Sequence, residues 1–335
     1  MTQMVKDFGL EKARLNRFLL PGSHDAGTFD LSEDMGPMAT SLHSMIPNIV
    51  KKWSVTQSAS ITDQLRYGAR YLDLRIAYDN KKDTFRIEHK VLGRDLAVVL
   101  DEIGTFAREH PREIILVDFR KFYNMETCEL HLRFCATIQE KLGDRIAKKP
   151  LRPDSRIKSF YKRNANVLVF YHHDQFCDLK EMDPWCHDFL RNRKRMSSPW
   201  PNTTSESDLH QKHVPRILSD FSRQDPKRKR INILQCVVTP TVRFITGSLL
   251  RLHGKSNLKD MADAANKKTE EEFNVACSSS DDGIIGGRWP IKENFCVLLM
   301  DFITETKAID ICRRVTKDRC ISSSLIESET IPASE

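Results

Sequence analysis

The sequence predicts an α/β protein, a distorted or incomplete TIM (β/α)8-type barrel forming a single domain. Three observations carry this. Short aliphatic and β-branched runs alternate with stretches of helical periodicity. The chain has 335 residues, a length that suits one such barrel. No internal repeat or low-complexity linker divides it.

In chain order, residues 1–16 read as a lead-in, 17–321 as the barrel and 322–335 as a tail. Strands are expected at 17–20, 71–77, 85–88, 113–119, 166–171, 231–238, 273–277 and 295–302, each bounded by turn residues. Residues 92–110 carry Leu96, Val99, Leu100, Ile103 and Phe106 on one helical face, and Pro111 follows. Residues 128–142 repeat the pattern and end at Gly143; 260–272 and 308–320 are further helices. Long irregular stretches are expected at 35–56, 174–207 and 278–292.

Composition narrows the class. Hydrophobic residues make up 40% and charged residues 30%, a soluble balance. No apolar run approaches the ~18 residues of a transmembrane helix, and the charged N-terminus lacks the apolar core of a secretory signal. The nine cysteines lack CxxC spacing and read as reduced thiols of a cytoplasmic protein, with neither disulfide framework nor zinc site. Net charge is +7, with basic clusters at 191–195 (RNRKR) and 227–230 (KRKR). They suit solvated loops or an anionic surface. Without a zinc-finger or RNA-recognition signature, a lipid surface is favoured over nucleic acid.

The chemistry-bearing residues fall at the ends of the expected strands. His24 and Asp25 follow the first. Asp73 and Arg75 lie in GARYLDLRIAYD, His89 just past FRIE, Arg120 and Lys121 at the end of EIILVDFR, and Asp301 near the end of FCVLLMDFIT. In a parallel barrel these ends open on one face. Two histidines, an arginine and two aspartates would meet there, a set that fits phosphodiester cleavage. A base takes the attacking hydroxyl's proton, an acid protonates the leaving oxygen, and a planar guanidinium binds the phosphoryl oxygens. Asp25 and Asp301 would hold the imidazoles in their tautomers. Asp73 and Arg75 also suit a plain structural ion pair, His89 a surface histidine, and Asp301 a buried turn cap. Histidines 43, 110, 131, 172, 173, 187, 210, 213 and 253 are left as non-catalytic, with His172 and His173 the least secure because they follow a strand.

LPGSHDAGTFDL, WSVTQ, QLRYGARYLDLRIAYD, EHKVLG, HPREIILVDFRKFY, SPWPNTT and VLLMDFIT, in this order, resemble the phosphatidylinositol-specific phospholipase C X-domain superfamily over residues 17–321. Within it the chain is most similar to the eukaryotic PI-PLC X domain-containing proteins. The resemblance implies His24 as general base and His89 as general acid, with Asp25 and Asp301 as their supporting carboxylates. It implies Arg75 as the phosphate-binding arginine of the metal-independent members. Asp25 is thereby assigned to His89 across the pocket. Because Arg75 stands where calcium-dependent relatives place an acidic ligand, no metal and no cofactor are expected. Arg120, with Lys121, lies near a basic position that lines the bacterial substrate site.

Two departures stand out. Lys90 follows His89 where the family usually has glycine, and ILQCVVTP (233–240) lacks the acidic residue and tyrosine that bacterial members turn to the inositol ring. Lys51, Lys52 and Trp53, with Ile46, Ile49 and Val50 before them, suit either a bilayer surface or packing on the barrel. The expected partner is a phospholipid substrate at a membrane surface, met peripherally, with no nucleic acid and no obligate protein partner. Two rival functions remain at this point: another lipid phosphodiesterase, of the glycerophosphodiesterase or sphingomyelinase D type, or an inactive lipid-binding scaffold.

Overall fold

The structure, a computed structural model, describes the chain apart from residues 2–4, 7–8, 41–42, 44, 173–183, 193–195, 225–229, 251–253, 279–294 and 330–335, and apart from the side chains of 274–278 and 320–329. Ten strands form: β1 Leu20–Ser23, β2 Tyr71–Asp79, β3 Thr84–His89, β4 Val91–Asp95, β5 Ile115–Tyr123, β6 Val167–Tyr171, β7 Leu190–Asn192, β8 Met196–Ser197, β9 Ile231–Gln235 and β10 Val297–Met300. Eight of them run side by side in the order β7-β6-β5-β2-β1-β10-β9-β8, every neighbouring pair parallel. No pair joins β7 to β8 among the described residues, so the sheet curls into a half-barrel. β3 and β4 form an antiparallel hairpin hung on the far half of β2.

Period-2 alternation sorts the strand residues between two cores. Leu20, Tyr71, Leu116, Phe170, Ile233, Val297 and Leu299 fill the barrel interior. Leu72, Leu74, Val117, Phe119, Val169, Leu298 and Met300 face the helical layer. Val5, Leu10 and Leu15 of the lead-in pack into the interior core. Carried one step further along each strand, the inward series reaches polar residues: Leu20, Gly22, His24 on β1; Tyr71, Asp73, Arg75 on β2; Val297, Leu299, Asp301 on β10. The alternation that builds the core therefore delivers the polar residues into the barrel mouth.

Among the described residues, ten α-helices of six residues or more surround the sheet: α1 Pro47–Lys52, α2 Ile61–Tyr67, α3 Leu96–Glu109, α4 Cys128–Leu142, α5 Ile157–Arg163, α6 Pro184–Phe189, α7 Val214–Ser222, α8 Val242–Leu249, α9 Leu258–Ser278 and α10 Ala308–Glu329. Asp95 caps α3 by accepting from the Ala97 amide, and Thr127 caps α4 by accepting from Leu130. α4 ends at Gly143, which takes a φ of 52°.

Several expectations are corrected. Residues 273–277 are helix, not strand: Leu258, Met261, Ala265, Thr269 and Phe273 form one buried stripe at spacings of three and four along α9. Residues 92–95 belong to β4, so the helix starts at Leu96. The first strand is displaced along the chain, because residues 15–17 close a 3-10 turn. The irregular stretch 35–56 contains α1, and 174–207 contains α6, β7 and β8. Arg191 of the first basic cluster is buried, donating to the carbonyls of Ala147, Leu151 and Phe189, so it tightens the fold instead of charging the surface. The rest of that cluster from 193 to 195, residues 227–229 of the second, His173 and His253 lie outside the described residues, as do most of 278–292 and the end of the tail.

Gly22 gives a direct test of this packing. A Cβ there would lie 2.6 Å from Val297 Cγ1 and 3.0 Å from Leu299 Cδ1. Gly22→Ala should cost about 1–3 kcal/mol, the usual penalty for overpacking a core. Urea denaturation would show it as a lower midpoint at unchanged slope.

Candidate active site

β1 stops at Ser23, and the chain turns sharply. Asp25 takes a left-handed φ of 41°, a conformation aspartate tolerates better than most residues. The turn drops His24 and Asp25 into the barrel mouth, 4% and 2% exposed. His24 Nδ1 lies 2.7 Å from Asp301 Oδ1. With that nitrogen engaged, Nε2 faces the pocket, 3.4 Å from Asp25 Oδ2 and 3.5 Å from an Arg75 terminal nitrogen. The Trp200 ring leans over the imidazole at 5.3 Å between centroids.

His89 ends β3. Its Nδ1 is 2.6 Å from the Ser54 carbonyl, an acceptor only, so Nδ1 carries the hydrogen. Its Nε2 therefore also faces inward, 3.4 Å from the same Asp25 Oδ2. Arg75 Nε sits 2.7 Å from the other oxygen, Asp25 Oδ1. Among the described residues no aligned hydrogen bond reaches either Asp25 oxygen, and the Arg75 guanidinium is the permanent opposite charge beside it.

Electrostatics separates the two histidines. Burial works against the charged form of His24, but Asp25 and Asp301 outweigh it and raise the pKa above the ordinary 6.5. Burial dominates at His89 and lowers it to about 4, with Arg75 adding to the effect and Asp25 opposing it. Burial pushes the Asp25 carboxyl up, yet Arg75 and both histidines bring it down to about 2. Burial raises Asp301, against the pull of His24.

The neighbouring wall is also ionic. Arg120 donates to Asp73 Oδ2 at 2.9 Å and reaches Gln235 Oε1 at 3.5 Å. A β-bulge aims it. β2 and β5 pair Leu74 with Phe119 and then Arg75 with Lys121, leaving Arg120 as the extra residue. The Asp73–Arg75 ion pair considered from sequence is thus replaced by two others, Asp73–Arg120 and Arg75–Asp25. Lys121 is exposed and joins none of these pairs among the described residues. Burial raises Glu88 to about 7 and Tyr123 to about 12 on the same wall.

His24, Asp25, Asp301, His89, Arg75 and Arg120 are therefore brought together as the sequence implied. Trp200, Gln235, Tyr123, Glu88, Ser54 and Gln57 were missed. Trp200 and Gln57 stand inside recognised motifs, SPWPNTT and WSVTQ, but nothing local to them marks a role. Trp53, in the segment weighed for bilayer contact, is 5% exposed and packs edge-on against Phe244 of α8.

His24, Asp25 and Asp73 each offer a ligand atom within 4.8 Å of one another, the spacing of a cation site. Arg75 against Asp25 and Arg120 against Asp73 already supply the positive charge such an ion would bring. The donor set fits an arginine-based phosphate site better than a metal site.

Lys90, where a glycine was expected, has a φ of 64°. The bend between β3 and β4 is thus left-handed, a conformation that glycine adopts more readily than lysine. Lys90→Gly should relieve the strain and raise stability by about 0.5–1 kcal/mol, readable as a higher urea midpoint.

No protein-family model matches the chain. Among solved structures, the chain is similar to the phosphatidylinositol-specific phospholipase C from Listeria monocytogenes, with a TM-score of 0.60 at 15% identity, covering 92% of this chain and 95% of that one. It is also similar to a mutant of the phosphatidylinositol-specific phospholipase C from Staphylococcus aureus, with a TM-score of 0.58 at 12% identity, covering 92% and 94%. Among curated proteins, it is 31% identical over 252 residues to PI-PLC X domain-containing protein 2 of Mus musculus, covering 72% of this chain and 70% of that protein. The human protein of the same name is 30% identical, with 72% and 78% covered. With this level of identity over most of both chains, and a half-barrel of the same fold as the bacterial enzymes, the protein belongs to the PI-PLC X domain-containing protein family.

Proposed function

We propose that the protein is a metal-independent phosphodiesterase of the phospholipase C type, acting on a phospholipid such as phosphatidylinositol at a membrane surface. One observation carries the reading: the Nε2 atoms of two histidines each lie 3.4 Å from one Asp25 oxygen, with the Arg75 guanidinium on the other. A phosphodiester seated against Arg75 has a base on one side and an acid on the other.

With phosphatidylinositol, His24 Nε2 takes the proton of the ring 2-hydroxyl, whose oxygen attacks phosphorus in line. The bond from phosphorus to the glycerol oxygen breaks, and His89 Nε2 delivers its proton to that oxygen. Diacylglycerol leaves, and a cyclic inositol phosphate remains. Water then opens the ring with the roles reversed: His89 accepts the water's proton and His24 returns its own to the ring oxygen. Arg75 neutralises the phosphoryl oxygens where charge accumulates. Asp301 holds His24 in the tautomer that leaves Nε2 free, and Asp25 stabilises a proton on His89. Asp73 and Arg120 line the side on which the head group rests.

The raised pKa of His24 and the lowered one of His89 put the shared proton mainly on His24. The productive arrangement, His24 neutral and His89 charged, is therefore the minor one-proton form. It is reached by moving the proton across Asp25, which faces both Nε2 atoms. The active form holds one proton between the two histidines. Turnover therefore follows a bell in pH. Below about pH 4 both are protonated and the base is lost; above the raised pKa of His24, beyond 6.5, both are neutral and the acid is lost. A kcat/KM profile on lipid should show both limbs, and a rate that climbs steadily into alkaline pH contradicts the assignment.

Peripheral membrane contact is supported by Met45, Val242 and Leu250, exposed to 77%, 66% and 65%, which carry apolar surface beside exposed Lys52 and Arg243. No helix among the described residues is long and apolar enough to cross a membrane. No disulfide joins the six cysteines whose side chains are described, which favours a reducing, cytoplasmic setting. Labelled phospholipids incubated with the protein in excess EDTA test the whole reading. Diacylglycerol and a phosphorylated head group are expected. Calcium-dependent turnover, a phosphorylated lipid product, or lipid binding without turnover each overturns it.

A further inference from the structure

We infer that Gln57 is the positioning residue of the His24–Asp301 pair, and that residues 54–57 act as one strap setting both histidines. The parallel ladder between β1 and β10 ends where His24 N donates to the Met300 carbonyl at 3.1 Å. Beyond that bond the two strands have no partner in each other, yet His24 and Asp301 must meet there. Gln57, 1% exposed, spans the gap. Its Nε2 donates to the His24 carbonyl at 2.9 Å and to the Met300 carbonyl at 3.2 Å. Its Oε1 accepts from the Ile303 amide at 3.0 Å. One side chain thus grips the backbone of His24 and the backbone on both sides of Asp301.

The adjoining residues act on the same groups. Thr56 Oγ1 donates to the His24 carbonyl at 3.0 Å, and the Thr56 carbonyl accepts from the Phe302 amide at 2.7 Å. Two residues earlier, the Ser54 carbonyl accepts from His89 Nδ1 at 2.6 Å and fixes its tautomer. Both histidines, which come from different strands, are registered against one short stretch between α1 and α2. Placement errors of about 1 Å in such groups cost on the order of 10²-fold in rate, so the strap controls turnover without touching substrate.

A merely structural amide would lower stability alone, and the fold supplies that control. Asn166 is a buried amide whose Nδ2 donates to the carbonyls of Ala107, His110 and Glu113, away from the site. Gln57→Met and Asn166→Leu are compared on the full chain for kcat, KM, pH profile and urea midpoint. The titration of the His24 imidazole is followed by NMR without substrate. Gln57→Met is expected to lose about 10–100-fold in kcat at unchanged KM, and its His24 titration should move to lower pH as the Asp301 contact loosens. Asn166→Leu should lose stability only. Gln57→Leu, which removes all three bonds with a shorter uncharged side chain, stands in if the Met variant does not fold and should show the same kcat loss and titration shift. Wild-type kcat and an unmoved His24 titration in a folded Gln57 variant overturn the inference. Because the proposal rests on the phosphodiesterase reading, the NMR arm separates the two. Absent wild-type turnover sinks that reading, while the titration still decides the role of Gln57.

Discussion

Replacing His24 by alanine is expected to lower kcat/KM on lipid by on the order of 10⁴-fold. The change removes the base and leaves two buried carboxylates facing a void. Asp301 loses its 2.7 Å partner, and Asp25 loses one of the four groups that hold it near a pKa of about 2. His89→Ala should fall by a similar factor, because the leaving oxygen then departs without its proton. Since the two imidazoles serve one proton-transfer cycle, the double variant should lose little beyond either single one. Circular dichroism and a urea midpoint for each variant separate lost chemistry from lost fold. Turnover within tenfold of wild type in either single variant would remove the two-histidine mechanism.

The second large effect is at Arg75. Arg75→Lys keeps the charge but loses the planar fork that can bond two phosphate oxygens at once. A loss of about 10²–10³-fold in kcat is expected, the scale of removing one preorganised donor from a transition state. Added calcium should not restore the rate, and EDTA should leave both proteins unaffected. Recovery with calcium in the variant would mean that His24, Asp25 and Asp73, whose ligand atoms lie within 4.8 Å of one another, act as a metal site once the guanidinium is gone. That result would overturn the arginine-based assignment.

Much of this was legible in the sequence because it rests on local periodicity. α4 spans Cys128–Leu142 as its apolar face and Gly143 imply. The inward alternation of β1, β2 and β10 carries His24, Arg75 and Asp301 to one mouth. Where two local signals conflicted, the longer-range one prevailed: the short, mostly apolar run FNVAC at 273–277 yielded to the helical stripe of α9, and 92–95 joined a hairpin whose partner strand lies before it. The strap was illegible for another reason. Gln57 acts on backbone carbonyls and an amide, and Ser54 acts through its own carbonyl, groups that every residue carries, so no residue pattern announces them. Arg120 was placed by its strand end, but its turn toward Asp73 depends on a one-residue offset between β2 and β5 that neither strand shows alone.

That offset has a wider consequence. Ahead of it, Asp118 and Arg120 face inward while Phe119 faces the helices; after it, Tyr123 faces inward while Phe122 packs on the helical core. Closing the bulge with no residue deleted would impose a plain alternation and turn Phe122 toward the ionic wall. β5 therefore consists of two independently phased halves, while β2, which bears Arg75, keeps a single phase throughout. Substitutions along the outer half of β5 can remodel the wall that meets the head group without rotating the arginine that meets the phosphate. The fold in this way separates what the protein recognises from how it reacts, and leaves the first free to diversify.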